Sequence, residues 1–237
     1  MGNILFEEMP KGAISEILIQ RITDALISGD LKPGDKIPTE VEFSENLGIS
    51  RNAVREAMKV LVAFGVLEIR RSEGTFVVEN YNPKLMDPML YGLILSQHSM
   101  EELLETKISI ANSIMYLAIM NATDVQIAKL REKGEYFRKV MNDSNSDEKT
   151  RYDASKDFNI YLGEITNNPM LLQIDSVIHK IAKFTRHKAL EESVKRGMPD
   201  ILPANYLKEV DLIQARNKEA IAGFMDERLE IWKELLL

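Results

Sequence analysis

The sequence predicts a mainly α-helical chain in two parts: an N-terminal winged helix-turn-helix with a small β-hairpin wing, and a C-terminal all-α antiparallel helical bundle. Three observations predict it. Turn residues crowd the first 80 positions, at Gly29-Asp30, Pro33-Gly34-Asp35, Pro38, Gly48, Gly65 and Gly74. They separate segments in the order helix, helix, tight turn, helix, hairpin. Beyond residue 98 Gly and Pro thin out, apolar residues recur at helical spacing, and no sustained period of two appears. The length of 237 residues is enough for two domains, each with its own core. The expected domains are 1–80 and 98–237. Residues 81–97 form a linker and possible connecting helix, marked by Asn80-Tyr81-Asn82-Pro83 and Asp87-Pro88.

Each element follows from local chemistry. Ile14, Ile17, Leu18, Ile22, Ala25 and Leu26 recur at helical spacing, and Gly29 stops that helix. Thr39, three residues before Glu42, is a capping-box start for a short helix to about Asn46, ended by Gly48. Ser50 caps a third helix from Arg51 to about Phe64, closed by Gly65. Val66-Leu67-Glu68-Ile69 and Thr75-Phe76-Val77-Val78 have the β-branched and apolar content of strands, joined by the turn Arg71-Ser72-Glu73-Gly74. The second part offers about six helices, at 99–121, 123–141, 148–166, 168–187, 203–215 and 217–236. Leu103, Leu104, Ile108, Ala111, Ile114, Met115 and Ala118 draw the inner face of the first. Ile174, Val177, Ile178, Ile181 and Phe184 do so for the fourth.

Composition excludes several chemistries. With no Cys there is no disulfide, thiolate metal site or Cys nucleophile, and a reducing cytoplasm is the expected compartment. The longest strongly apolar stretch, Ile114 to Met120, is far short of a membrane span, so no membrane partner is expected. The N-terminal residues carry no export signal, and Phe6 stands where a myristoylation motif needs Ser or Thr. The net charge of −7 argues against a protein whose whole surface binds polyanions. The charge is unevenly spread, however. Residues 50–72 hold five basic against two acidic side chains, whereas residues 1–49 hold four against nine.

That local excess marks a DNA-reading face. Arg51, Arg55 and Lys59 form a stripe along the third helix, with Asn52 at its start. Arg forks onto guanine or phosphate and Asn pairs with adenine. The Ser50 and Thr39 hydroxyls and the helix N-termini suit backbone phosphates. Arg70 and Arg71, near Gly74, give the hairpin the composition of a minor-groove wing.

Residues 12–79 resemble the DNA-binding domain of GntR-family bacterial transcription regulators. The resemblance rests on Ile27-Ser28-Gly29-Asp30-Leu31-Lys32-Pro33-Gly34-Asp35, Ile37-Pro38-Thr39-Glu40, Leu47-Gly48-Ile49-Ser50-Arg51, Val54-Arg55-Glu56-Ala57-Met58, Gly65-Val66-Leu67 and Gly74-Thr75-Phe76-Val77. Val41 departs from it, since many members have there an Arg that touches DNA. Residues of about 100–235 resemble the FadR-like (FCD) branch. Leu104-Glu105-Thr106-Lys107, Phe158-Asn159, Asn168-Pro169-Met170-Leu171-Leu172 and the Asn217-Lys218-Glu219-Ala220 to Met225 stretch carry that likeness. It implies an all-helical domain that binds small organic acids or related metabolites, dimerises and alters DNA affinity.

Many domains of that branch hold a metal through one Asp and three His. The corresponding positions here are Ser155, Asn159, Tyr206 and Arg228, which are not a competent ligand set. His179 and His187, read as lying on one helix with Lys183 between them, do not restore it. No metal and no other cofactor is therefore expected. In the metal's place, Arg228 and Lys107 are expected to supply positive charge to an effector, with Ser155, Asn159 and Tyr206 hydrogen bonding and Arg186 a further candidate. The competing reading has Arg228 facing solvent or paired with an acid such as Asp153 or Glu164. Nine of the twelve Met lie beyond residue 80 and suit an adaptable pocket or a plain core.

The expected protein is a cytoplasmic, homodimeric, metabolite-responsive repressor. Its partners are a double-stranded palindromic operator and a small anionic effector. The rivals are a DNA-binding regulator with a vestigial, non-sensing helical domain, and an enzyme of that domain. No catalytic residue is assigned, because scattered His, absent Cys and the lack of a phosphate loop count against the enzyme.

Overall fold

The computed structural model describes residues 14–79, 88–96 and 98–237. The linker markers Asn80-Tyr81-Asn82-Pro83 and Asp87 lie outside the described residues. The chain divides into two compact units, Met1–Tyr91 and Gly92–Leu237.

The first unit is a winged helix. Helices α1 (Ile14–Ser28), α2 (Glu40–Leu47) and α3 (Arg51–Ala63) precede strands β1 (Leu67–Arg70) and β2 (Gly74–Val77). The capping box of α2 is complete: Glu42 N–H donates to Thr39 Oγ1 at 3.2 Å, and Thr39 N–H donates to Glu42 Oε2 at 2.7 Å. Gly48 ends α2 at φ 63°, a left-handed conformation that costs glycine nothing and most residues about 1 kcal/mol. Ser50 then caps α3 by accepting from Ala53 N–H. Leu18, Ile22, Phe43, Val54, Ala57, Leu61 and Leu67 close one core beneath the three helices. The hairpin is antiparallel, in register Leu67↔Val77 to Arg70↔Gly74. Sequence reading missed a third, partial edge. Ile37 N–H donates to Thr75 O at 3.0 Å and Val77 N–H to Asp35 O at 2.8 Å, so the segment after the Pro33-Gly34 turn covers the open side of β2.

After α4 (Pro88–Leu95), the second unit contains α5 (Met100–Asn121), α6 (Asp124–Asn142), α7 (Glu148–Glu164), α8 (Pro169–Ile181), α9 (Lys183–Lys195), α10 (Ile201–Gln214) and α11 (Ile221–Leu236). Side-chain caps from Ser99, Thr123, Asp147 and Asn168 start the first four of these. Their core joins Leu104, Met115, Leu130, Phe137, Phe158, Val210, Ile213, Trp232 and Leu235. Gly134 lets α6 lie close to α10: a Cβ there would meet Leu207 Cδ2 at 2.8 Å. Helix α5 is long and apolar enough to cross a membrane by length and composition alone; one face of it, with Leu104, Met115, Ala118 and Ile119, is buried in this bundle.

One expected helix is corrected. The segment 168–187 is two helices, broken at Ala182, and the second runs on to Lys195. Thr185 Oγ1 donates to Ala182 O at 2.8 Å, competing with regular helix hydrogen bonding at the break. Past the break, Thr185, Arg186 and Ala189 are buried, and Phe184, expected inside, is 73% exposed. His179 and His187 consequently sit on different helices.

Candidate nucleic-acid interface and buried polar site

Helix α3 divides cleanly. Val54, Ala57, Met58 and Leu61 are buried, while Arg51, Asn52, Arg55 and Lys59 are exposed along the outer face. Arg51 and Asn52 occupy the first turn, where the capped N-terminus adds its partial positive charge. Arg55 is preset by Glu40 of α2, which accepts from Nη2 at 2.9 Å and from Nε at 3.1 Å. The Thr39 hydroxyl is committed to its own cap, donating to Glu42 Oε2 at 2.8 Å. Those Thr39 hydrogen bonds, the backbone one first, hold the Glu42 carboxyl below its usual range.

The wing separates its two arginines. Arg70 lies over the Phe76 ring at 4.5 Å, with Nε donating to Glu68 Oε1 at 2.7 Å and Nη2 to Glu79 Oε1 at 3.2 Å. Arg71 is exposed in the turn, beside Ser72 (φ 63°) and close to Gly74 (φ 125°). Lys36, which sequence reading missed, reaches the same tip. Its Cε would be 2.7 Å from a Cβ at Gly74. The pairing of Lys36 with Phe76 across the third edge is what brings it there. From this geometry, Arg71→Ala is expected to weaken DNA binding more than Arg70→Ala, because Arg70 must first give up two carboxylates. Mobility shifts with both variants check the order.

The candidate effector residues converge in the helical unit. Ser155 and Asn159, one turn apart on α7, face Tyr206 on α10. Asn159 Nδ2 donates to the Tyr206 hydroxyl at 2.9 Å, and Ser155 Oγ lies 3.1 Å from the same oxygen. Arg228 of α11 is 3% exposed and donates from Nη1 to Glu209 Oε2 at 2.8 Å. Neither solvent, Asp153 nor Glu164 is its counterpart. Glu209 was not foreseen, although it stands one turn beyond Tyr206 on the buried face of α10. The Lys107 ammonium is sealed from solvent without a hydrogen-bond partner, 3.3 Å from the Trp232 ring centroid. Arg186 is 2% exposed. It donates from Nη2 to His179 Nδ1 at 2.9 Å, and its Nε has no partner. His179 Nε2 in turn lies 3.1 Å from Asp175 Oδ2.

The electrostatics are those of a crowded cationic core. Burial, reinforced by Arg186 and Arg228, pushes the Lys107 ammonium well below its ordinary range. Burial raises the Glu209 carboxyl in spite of Arg228. Burial also lowers His179, which fits a neutral ring accepting from Arg186 and donating to Asp175. Three basic side chains thus surround two acids, Asp175 and Glu209.

The donor set does not suit a metal ion. A guanidinium has no lone pair to offer, and the Tyr206 oxygen is already shared between Ser155 and Asn159. Among the described residues no group of three His, Cys, Asp or Glu side chains is placed to hold one. Beside this cluster, α7, α8 and α9 enclose an open cavity of about 650 Å³. Arg186, His179 and Asp175 reach it. Ser155, Asn159, Tyr206, Lys107 and Arg228 do not line it.

Comparison with known proteins agrees with the two-part architecture. Residues 14–77 match the bacterial regulatory proteins of the gntR family, and residues 102–230 match the FCD domain. The chain is 32% identical over 161 residues to the Uxu operon regulator of Haemophilus influenzae. It is 27% identical over 144 residues to the HTH-type transcriptional regulator LutR of Bacillus subtilis. These alignments span 68% and 61% of this chain but only 56% and 64% of those relatives. In fold it resembles Streptococcus agalactiae GntR, with a TM-score of 0.56 at 18% identity, over 92% of this chain and 97% of that one.

Proposed function

Because the chain belongs to the GntR family of bacterial transcription regulators and carries their FCD domain, we propose that it is a cytoplasmic, metabolite-responsive repressor. In this reading it binds a pseudo-palindromic operator as a homodimer. The observation that carries the DNA part is the outer face of α3, where Arg51, Asn52, Arg55 and Lys59 stand exposed around a capped N-terminus. A two-fold dimer matches a two-fold site, one recognition helix in each half. The local excess of positive charge on residues 50–72 answers the objection raised by the net charge of −7. Few phosphate contacts per protomer mean that tight binding needs both halves, and its salt dependence follows the contacts of the two protomers summed. Relatives named as operon and transcriptional regulators support a regulator rather than an enzyme.

The helical unit supplies the switch. A small anion that binds one arrangement of the dimer better than another shifts the population, and DNA affinity follows by linkage. The buried Arg186, whose Nε has no partner, supports an anionic effector. The reading of a regulator that senses nothing has one observation in its favour: Arg228 is already satisfied by Glu209. The open cavity beside Arg186 weighs against it.

A mobility shift on the DNA upstream of the protein's own gene tests both parts. We expect a specific shift that a scrambled duplex does not give, and release of the operator by a low-molecular-weight bacterial extract. A shift equal on both duplexes contradicts the regulator reading. A specific shift that no extract releases favours the non-sensing alternative.

A further inference from the structure

The residues that stand at the metal-holding positions of this branch are satisfied by one another. Tyr206 takes Ser155 and Asn159, and Arg228 takes Glu209. An effector therefore finds no open coordination position there. One unsatisfied donor lies one layer away, on the side of the open cavity, on Arg186. This residue is 2% exposed, it reaches the cavity floor, and its Nε has no partner. What holds it is the neutral His179 ring rather than a carboxylate. Behind it Lys107 Nζ is also without a hydrogen bond. A buried guanidinium with an unused donor beside open space is a costly arrangement unless a ligand meets it.

The cavity itself has the build of a ligand site. Tyr152, Ile160 and Leu172 give it apolar walls. Its rim carries Lys149, Lys156, Lys180 and Lys183. Two acids also face it besides Asp175. Of these, Glu148 accepts from His187 Nδ1 at 2.6 Å, and Asp153 is exposed. Five basic against three acidic side chains line this space, in a chain whose net charge is −7. The surplus lies on the rim, where four lysines face two acids, while in the floor Arg186 stands with the buried Asp175, the apolar walls between.

We infer that the cavity between α7, α8 and α9 is a metal-free site for a small organic anion with two negative groups, carboxylate or phosphate. One group is held by Arg186 in the floor, the other by the lysines of the rim. The inference rests on the helical unit being the sensing domain, and it moves the recognition centre away from Arg228. The guanidinium fork binds either oxyanion in two parallel hydrogen bonds, and the rim lysines act as point charges on the second group.

Titration calorimetry on the full-length protein tests it. The probes are glutarate and 3-phosphoglycerate, with butyrate and glycerate as matched anions of lower charge, each run with EDTA and again with added Mn²⁺ or Zn²⁺. At least one of the first two is expected to bind, with the same affinity in EDTA and in metal, and at least about tenfold more tightly than its control. Arg186→Gln is expected to weaken that binding by about tenfold or more. The paired Lys156→Ala and Lys183→Ala variant lies on the exposed rim and keeps the test open if Arg186→Gln does not fold. It should weaken the doubly charged probe and leave its control unchanged. Binding that requires metal, equal affinity for probe and control, or no binding by either doubly charged probe overturns the inference. If the bacterial extract still releases the operator while neither probe binds, the sensing reading stands and only this site falls.

Discussion

Arg51→Ala is expected to weaken operator binding by about 2–6 kcal/mol per dimer, roughly 30-fold to 10⁴-fold, while leaving the fold unchanged. The residue is exposed at the first position of α3, outside the core formed by Val54, Ala57, Met58 and Leu61. No described residue forms an ion pair with it, so no internal partner competes with DNA for its guanidinium. One base contact is worth about 1–3 kcal/mol, and a homodimer carries the substitution twice. Lys59→Ala, two turns further along the same face, should cost less and mainly flatten the salt dependence, because a lysine far from the helix N-terminus serves phosphate. Fluorescence anisotropy across a salt series separates the two. A loss below about threefold for Arg51→Ala would remove α3 from the role assigned to it.

The second large effect concerns stability. Removing one partner of a buried ion pair leaves the other charge without compensation, at a cost of about 3–5 kcal/mol. Arg228→Ala does this to Glu209, which is fully buried and has no other hydrogen-bond donor in reach of Oε1. The deficit should depend on pH in a definite direction. Burial raises the Glu209 carboxyl in the folded state, and loss of Arg228 raises it further. The folded variant therefore binds more protons than the unfolded chain between the unfolded and folded values. Its stability is fullest below the ordinary carboxylate range and falls as pH rises through the folded value. Urea unfolding followed by the single tryptophan, Trp232, buried one turn from Arg228, should show a larger deficit at pH 7.5 than at pH 5. A combined Glu209→Leu and Arg228→Met variant should recover most of it. A deficit independent of pH would mean that the pair is not what holds these helices.

The N-terminal unit was legible almost residue by residue because its signals are local. Caps at Thr39 and Ser50 and the turn glycines Gly48 and Gly65 each act within a few residues of where they stand. What was missed there is non-local. Glu40 on Arg55 and Lys36 under the wing depend on chain crossings that spacing does not reveal. In the helical unit the apolar stripe of α5 was readable, whereas α9 was not, because its buried face is Thr185, Arg186 and Ser193 as much as Ala189 and Leu190. A hydrophobic pattern cannot mark a helix whose inner face is polar. The same blindness hid Glu209 and Asp175, which lie buried on otherwise apolar faces. Resemblance carried the reading further than periodicity did. Aligned positions drew attention to Ser155, Asn159, Tyr206 and Arg228, and the fold brings all four to the same layer. Only the structure could tell that Arg228 is already paired, and that Arg186 is the cation left facing open space.

The most direct test of the whole account is a hydroxyl-radical footprint of the full-length protein on its upstream DNA. Two protected half-sites related by a two-fold axis are expected, lost together on Arg51→Ala and together on adding the releasing metabolite. Protection of a single unsymmetrical stretch, or none above that of a scrambled duplex, would contradict it.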